Sequence, residues 1–364
     1  MKNKKTNICF FSGDITRSGG TERVATIIAN ELCKNKEYNI SIINLEERRD
    51  TAFFKIDNSI KIEKLYDKLD RSLFHIIGII TKLKRYVKNN KIDILIDIDG
   101  ILDIYSLPVK LFTKVKVISW EHFNYYQNPF VPYRKYSRRM AARWADAIVT
   151  LTEEDKEYYQ DNLKIKGEIL AIHNPFVWNN VETKYNADSK IILSVGRLTY
   201  QKGFDILLEI AREVMPKADG WKWIILGEGE DREKLEEKIK EYGLEEKVIL
   251  KGNVTDINDY YSKAGIFVMT SRFEGLPMTL LEAKTFDLPI VSFDCKTGPR
   301  ELILDSINGY LIDEGNLDAM EKAIFDLIED DKKRKLFSQN AGEDINKFDI
   351  KVIIDKWKKL IKEI

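Results

Sequence analysis

Cysteine is scarce, with three residues in a chain of 364: Cys9, Cys33 and Cys295. No two have metal-ligand spacing, and an odd count does not build a disulfide framework. Buried or free thiols in a reducing compartment are expected. Long apolar runs are missing too. The basic residues 1–5 are followed by an apolar stretch, 8–11, too short for the core of a signal peptide. No window reaches the ~18 uninterrupted apolar residues of a membrane span. The chain is therefore expected in the cytoplasm, soluble or peripheral on the inner face of the cell membrane. Net charge is absent as well, at 59 Lys and Arg against 59 Asp and Glu, which argues against a nucleic-acid partner. There is no internal repeat and no low-complexity tract.

What is present is a globular balance: 44% hydrophobic and 32% charged residues, with 16 Tyr, 17 Phe and 6 Trp. That is enough apolar material for two cores, and the length suits two domains. The zero net charge conceals an asymmetry. Residues 1–175 hold 30 Lys and Arg against 23 Asp and Glu, or +7; the remainder hold 29 against 36, or −7. Either chance or an anionic surface facing the first half accounts for it.

Strands and helices alternate along the chain. Strands are expected over 8–11, 40–45, 92–98, 115–120 and 147–151, with helices over 21–35, 73–88 and 133–144 between them. His173-Asn174-Pro175 is expected to close a strand, and the polar, aperiodic stretch 176–189 to link two domains. Alternation then resumes: strands over 191–195, 223–226, 248–251, 266–269 and 290–293, helices over 204–214, 232–242 and 277–286, and a basic amphipathic helix over 350–364. Strands spaced by helices of this length imply parallel sheets with crossover helices.

The most informative segment is 271–282, Ser-Arg-Phe-Glu-Gly-Leu-Pro-Met-Thr-Leu-Leu-Glu. It runs from a buried strand through a loop with Glu274 and Gly275 into a helix whose expected first residue is Pro277. Free N–H groups of such a first turn bind anions, phosphate above all. Glu282, a turn and a half into the helix, has a carboxylate suited to a vicinal diol. Glu274 suits a neutral sugar better than a phosphate, which it would repel. Solvated helix-end charges are the plainer alternative, but loop, glycine, proline and spacing coincide here. The second segment, 194–203, is Ser-Val-Gly-Arg-Leu-Thr-Tyr-Gln-Lys-Gly. It places Gly196, Arg197 and Lys202 at the C-terminal end of a strand, where open α/β sheets bind ligands. Arginine can fork onto phosphate oxygens and lysine adds a point charge. Gly19-Gly20-Thr21 precedes the first helix, where glycines let backbone approach a phosphate. It lacks the dinucleotide-binding Gly-x-Gly-x-x-Gly spacing.

These segments resemble the signature of the family 4 retaining glycosyltransferases. Glu274 and Glu282 match that family's Glu-x7-Glu motif, and Arg197 and Lys202 its phosphate-binding pair. The resemblance is strong over 191–309 and looser before, and 273–283 with 294–301 resemble bacterial capsule, exopolysaccharide and lipopolysaccharide enzymes. It implies the GT-B fold: two Rossmann-like domains with parallel sheets facing across a cleft. The first, 1–175 with the helix 348–364 packed back on it, would be acceptor-side; the second, 176–347, would hold the nucleotide sugar. It further implies that Glu282 holds ribose hydroxyls, Glu274 the transferred sugar, the Gly275–Leu276 backbone sugar or phosphate, and Gly252, Asn253 and Val254 the uracil. Gly19 and Gly20 would lie near the diphosphate and His122 against the donor sugar. Glu274, His122, Arg197 and Lys202 would thus be catalytic.

By the same resemblance the donor is a UDP-sugar, the acceptor a saccharide or lipid-linked saccharide, and no metal or other cofactor is needed. Asp97-Ile98-Asp99 could pair two carboxylates on one strand face for a divalent cation, but reads better as a strand and its exit. His173 and His75 read as structural. The helices over 73–88 and 133–144 carry Lys82, Lys84, Arg85 and Lys88, and Arg134, Lys135, Arg138, Arg139 and Arg143. They are either plain domain surface or a membrane-docking face. Competing functions are a soluble-acceptor transferase of the sucrose or trehalose type, a UDP-sugar 2-epimerase, and a nucleotide-sugar-binding regulator without turnover.

Overall fold

The computed structural model describes residues 5–69, 75–127, 131, 133–176 and 185–364. The chain forms two compact units, Met1–Pro175 with Phe348–Ile364, and Phe176–Lys347. Most of the expected linker, 177–184, the first four residues of the basic N-terminus and the start of the helix expected from 73 lie outside the described residues.

The first unit runs β1 (Thr6–Ser12), α1 (Gly20–Cys33), β2 (Tyr38–Asn44), β3 (Lys61–Lys64), α2 (Ile76–Asn89), β4 (Ile94–Ile98), α3 (Asp103–Leu111), β5 (Lys116–Trp120), α4 (Arg134–Trp144), β6 (Ala147–Thr150), α5 (Glu153–Asn162) and β7 (Glu168–Ala171). Its sheet has the order β3-β2-β1-β4-β5-β6-β7 with parallel pairing throughout. The central strands are apolar without alternation because helices cover both faces. On one face α3 packs between α2 and α4, closing over Leu83, Leu95, Val117 and Ala142. On α13 (Ile350–Glu363) the stripe Ile353, Ile354, Trp357, Leu360 and Ile361 is buried, as a 3.6-residue period requires. This helix lies beside α1, and Trp357 meets Trp120 edge-on at 4.9 Å.

The second unit runs β8 (Ile191–Val195), α6 (Phe204–Val214), β9 (Lys222–Leu226), α7 (Arg232–Glu241), β10 (Val248–Gly252), α8 (Ile257–Lys263), β11 (Ile266–Met269), α9 (Met278–Thr285), β12 (Ile290–Phe293), α10 (Pro299–Leu302), β13 (Gly309–Ile312), α11 (Leu317–Glu329) and α12 (Asp331–Gln339). Its parallel sheet has the order β10-β9-β8-β11-β12-β13. Both sheets are of the doubly wound, Rossmann-like kind. In each, the strand order reverses beside the first strand, between β1 and β4 and between β8 and β11. Loops leaving the two strands there diverge and open a crevice.

One expectation needs correction, and some elements go beyond those expected. The last strand of the first unit ends at Ala171, so His173-Asn174-Pro175 follows it instead of closing it. There His173 Nδ1 lies 2.7 Å from the Leu151 carbonyl oxygen. Helix α3 was not anticipated because Pro108 sits inside it, and proline reads as a breaker. Strand β3, Lys-Ile-Glu-Lys, is mostly charged and β13 opens on a glycine, so neither offers the continuous apolar run by which β6, β11 and β12 are read.

Candidate active site

In the second unit the loops after β8 and β11 meet through a glycine. A one-turn 3-10 helix, Tyr200–Lys202, ends at Gly203 with φ +65°. A Cβ there would stand 2.1 Å from the Thr270 carbonyl oxygen, so only glycine permits this approach. At Gly196 a Cβ would press to 3.2 Å on the Lys202 side chain, which instead crosses the loop freely. Lys202 Nζ reaches Glu274 Oε1 at 2.7 Å. Gln201 Nε2 donates to the Phe273 carbonyl at 3.1 Å and lies 3.4 Å from Glu274 Oε2. Arg272 forks onto Asp205 at 2.8 and 2.6 Å and covers the Tyr200 ring at 4.1 Å. Lys202 and Glu274, 72 positions apart, are thus brought together at the switch point. An ammonium has three donors, so Lys202 can hold Glu274 and still meet a phosphate oxygen. Arg197 is exposed, and no ion pair to it is found among the described residues.

The Glu274–Gly275 backbone is fixed by the loop after β12. Glu274 N donates to the Lys296 carbonyl at 3.0 Å, Thr297 N to the Glu274 carbonyl at 3.1 Å, and Thr297 Oγ1 to the Gly275 carbonyl at 2.8 Å. Pro277 is the N-cap of α9, with extended ψ of 99°, and not its first helical residue as expected. Its ring leaves no room for a side chain at Gly298, where a Cβ would sit 2.5 Å from Pro277 Cδ. Leu276 is buried. In α9, Glu282 Oε2 lies 2.9 Å from the Tyr261 hydroxyl. Tyr261 is buried and stacked on Phe267 and Phe286 at 5.8 and 5.3 Å. The phenol fixes one carboxylate oxygen of Glu282.

Gly252 ends β10 with φ +74°, and its carbonyl accepts from Gly227 N at 2.9 Å. A Cβ would lie 2.4 Å from Glu228 Oε1. Asn253 beyond it is exposed and Val254 half-buried.

In the first unit, Gly19 is the N-cap of α1 and Gly20 its first residue. A Cβ on Gly19 would stand 2.2 Å from Glu22 Oε2. A carboxylate therefore already sits against this helix terminus, where the macrodipole favours it, and a phosphate would have to displace it.

After β5 comes Glu121, whose carboxylate is held by Arg134 at 3.0 Å, Arg138 at 3.0 Å and the Tyr159 hydroxyl at 3.0 Å. Burial alone would raise this carboxyl, but Arg138 and Arg134 hold it at about 2. His122, the next residue, is buried, with its ring 4.6 Å from that of Trp120. Its Nε2 finds no hydrogen-bond partner among the described residues. Burial lowers this imidazole to about 4, so it is neutral near pH 7.

Other expected residues lie elsewhere. Asp97 and Asp99 do not form a pair for a cation. Asp97 is buried on the Ser106 hydroxyl, and Asp99, at φ +86°, is gripped by Arg134. Among the described residues no group of His, Cys, Asp and Glu is arranged to hold a metal. Arg134 and Arg138 point inward and are buried, so they are not part of an exposed basic face. His75 is the exposed N-cap of α2, 6.0 Å from the Tyr66 ring. Cys9 and Cys295 are buried and Cys33 half-buried, all three free; burial pushes the Cys9 thiol up to about 12, where it is inert.

Sequence reasoning missed Gln201, Tyr261, Thr297 and the Glu121–Arg134–Arg138 cluster. Gln201 stands beside Lys202 in the quoted motif, and Glu121 beside His122. Thr297 lies within the quoted segment 294–301, whereas Tyr261 carries no local signal, since it reaches Glu282 only through tertiary packing.

Comparison with known proteins shows the family. The model of "Glycosyl transferases group 1" matches residues 179–344, and that of "Glycosyltransferase Family 4" residues 18–176. The chain is 34% identical to the amylovoran biosynthesis glycosyltransferase AmsD of Erwinia amylovora, over 95% of this chain and 97% of that one. It is 30% identical to the GalNAc-alpha-(1->4)-GalNAc-alpha-(1->3)-diNAcBac-PP-undecaprenol alpha-1,4-N-acetyl-D-galactosaminyltransferase of Campylobacter jejuni, over 95% and 96%. Among solved structures, the lipopolysaccharide outer core galactosyltransferase WaaB in its apo form superposes with a TM-score of 0.79 at 23% identity, covering 98% of this chain and 99% of that one. With two matching domain models, two full-length relatives and two doubly wound parallel sheets, the chain belongs to the family 4 glycosyltransferases and has their GT-B fold.

Proposed function

We propose that this glycosyltransferase moves a hexose-type sugar from a UDP-sugar to a saccharide or lipid-linked saccharide acceptor in bacterial surface-polysaccharide assembly. Transfer proceeds with retention of anomeric configuration and without a bound metal. The observation that carries this proposal is the Lys202–Glu274 pair, 2.7 Å apart, at the switch point of the second unit. It sets a cation for the diphosphate next to a carboxylate for the sugar, with the exposed Arg197 in the same loop. Glu282, oriented by Tyr261, takes the ribose hydroxyls; the backbone at Gly252, Asn253 and Val254 frames the base. Gly196, Gly275 and Leu276 contact phosphate or sugar, as do Gly19 and Gly20 once Glu22 moves aside. His122 meets the donor sugar as a neutral hydrogen-bonding group.

Negative charge develops on the departing diphosphate, and Arg197 and Lys202 stabilise it. Each such donor contributes about 3 kcal/mol to the transition state. Among the described residues Glu274 is the carboxylate assigned to the sugar, and its ion pair with Lys202 makes it a sugar ligand in this proposal and not a covalent nucleophile. Front-face attack, with the leaving phosphate oxygen taking the acceptor's proton, is therefore favoured. The acceptor class draws support from the Campylobacter relative, whose name places its saccharide on PP-undecaprenol.

The first test is a calorimetric titration with UDP, GDP and ADP in EDTA. Saturable binding of UDP alone is expected, and none by Arg197→Ala, Lys202→Ala double-substituted protein. Tight GDP or ADP binding would replace the donor class. The single variants should each lose roughly 100-fold in kcat; near-normal turnover in both would overturn the mechanism.

A further inference from the structure

The loop that carries His122 is held by a set of buried charges that the transfer chemistry above does not use. Glu121 Oε1 accepts the backbone N–H of His122 at 3.1 Å and of Phe123 at 3.2 Å. Arg138, besides gripping Glu121, donates to the carbonyls of Asn124 at 3.0 Å and Gln127 at 2.9 Å, and to that of Tyr125. The Tyr125 N–H in turn donates to Asp155 at 2.7 Å. Arg134 bridges Glu121 to Asp99 at the end of β4 and covers the Phe123 ring at 4.7 Å. Glu121, Arg134 and Arg138 are at most 3% exposed at their side chains.

Burying three charges is an expensive way to fill space, since a well-packed apolar set is often as stable or more so. Apart from the Tyr159 hydroxyl on α5, the partners of these three side chains lie on one loop, 121–127, and just past the end of β4. At the head of that loop sits His122, whose buried Nε2 lacks a partner among the described residues. A buried polar atom without a partner is costly. We infer that Glu121, braced by Arg134, Arg138 and Tyr159, is a positioning residue: it fixes the His122 backbone, so that the imidazole holds Nε2 in one direction for a ligand hydroxyl. This rests on the role given above to His122 in transfer. Glu121 itself touches no substrate.

The test uses the full chain labelled at histidine, which has only three imidazoles, His75, His122 and His173. The His122→Ala spectrum assigns the His122 resonance. In Glu121→Gln and in the milder Tyr159→Phe, that resonance should shift or broaden while those of His75 and His173 stay. Turnover is measured with whichever of UDP-glucose, UDP-galactose and their N-acetyl forms the wild type uses. Glu121→Gln should lower kcat roughly 10-fold or more, as a misplaced group does, with the donor KM within about twofold. Added to His122→Ala, it should lower kcat no further, because it acts through the residue already removed. An unmoved His122 resonance in both variants, or losses that multiply in the double variant, would overturn the inference. Should Glu121→Gln not fold, Tyr159→Phe decides it alone. Wild-type turnover in His122→Ala would instead reject the role of His122 in transfer, while the resonances still report on positioning.

Discussion

A lysine that reads as a phosphate ligand is found beside a glutamate that reads as a sugar ligand, and each explains the other. Lys202 keeps Glu274 oriented, and Glu274 neutralises Lys202 in a half-buried loop where a lone cation would be desolvated at a cost. Tyr261 plays the same part for Glu282 by a neutral hydrogen bond. Tyr261→Phe removes one donor and keeps the stacked ring. Its expected effect is a several-fold weaker UDP affinity with little change in melting temperature, the size of one hydrogen bond to a charged group. Calorimetry beside a thermal melt checks this. Unchanged UDP affinity would mean that Glu282 is held by its other contacts or does not bind the ribose.

Single elements show why the basic residues of α4 divide as they do. The helix turns 100° per residue, so Arg134 and Arg138, four apart, share one face, and Lys135, Arg139 and Arg143 share another. The first face meets Glu121, the second meets solvent. A count of arginines cannot separate the two. Beneath them, β4 and α3 carry two buried carboxyls. Burial pushes Asp97 up to about 7 against the hydrogen bonds of Asp103 and Ser106. Burial and the nearby Asp97 raise Asp103 too. A raised carboxyl keeps its proton in the folded protein while the unfolded chain loses it. Its contribution to stability is thus present at low pH and is lost as pH rises from 3.8 to about 7. Glu121, held low at about 2, has the opposite sign: its stabilisation is lost as pH falls from 4.5 toward 2. Urea melts of Asp97→Asn should therefore decline less between pH 4 and pH 7 than those of the wild type. Parallel curves would show that Asp103 alone carries the effect. In α13, Trp357→Ala should cost about 3–5 kcal/mol, as loss of a fully buried Trp does. A cost under 1 kcal/mol would show that the helix contributes little to the first unit's stability.

For the molecule as a whole, no helix among the described residues is long and apolar enough to cross a membrane. The first unit carries exposed apolar side chains beside basic ones on its adjacent helices α2, α3 and α4. Ile77, Leu111, Phe112, Tyr136 and Trp144 are exposed there, and Lys84 covers the Phe112 ring at 4.5 Å. Neither α2 nor α4 contains an acidic residue. We propose this face for contact with an anionic bilayer. Neutralising Lys84, Arg85, Arg139 and Arg143 together should abolish cosedimentation with phosphatidylglycerol vesicles and leave UDP binding intact. Unchanged sedimentation would reject the face.

The sequence by itself determined the class of fold and the family signature in its second half. Unbroken apolar strands spaced by amphipathic helices leave few alternatives to two parallel sheets, and 194–203 and 271–282 each put charged residues at the end of a strand. Both signals are local, written within one turn or one loop. Tertiary structure decided what depends on residues distant in the chain. It paired Lys202 with Glu274 and Tyr261 with Glu282, turned Arg134 and Arg138 inward onto Glu121, and sent Asp97 and Asp99 to different partners. It also carried the final helix back to Trp120. Contacts of this kind depend on which face of an element meets which neighbour, and strand order and helix rotation set that only once the sheets have formed.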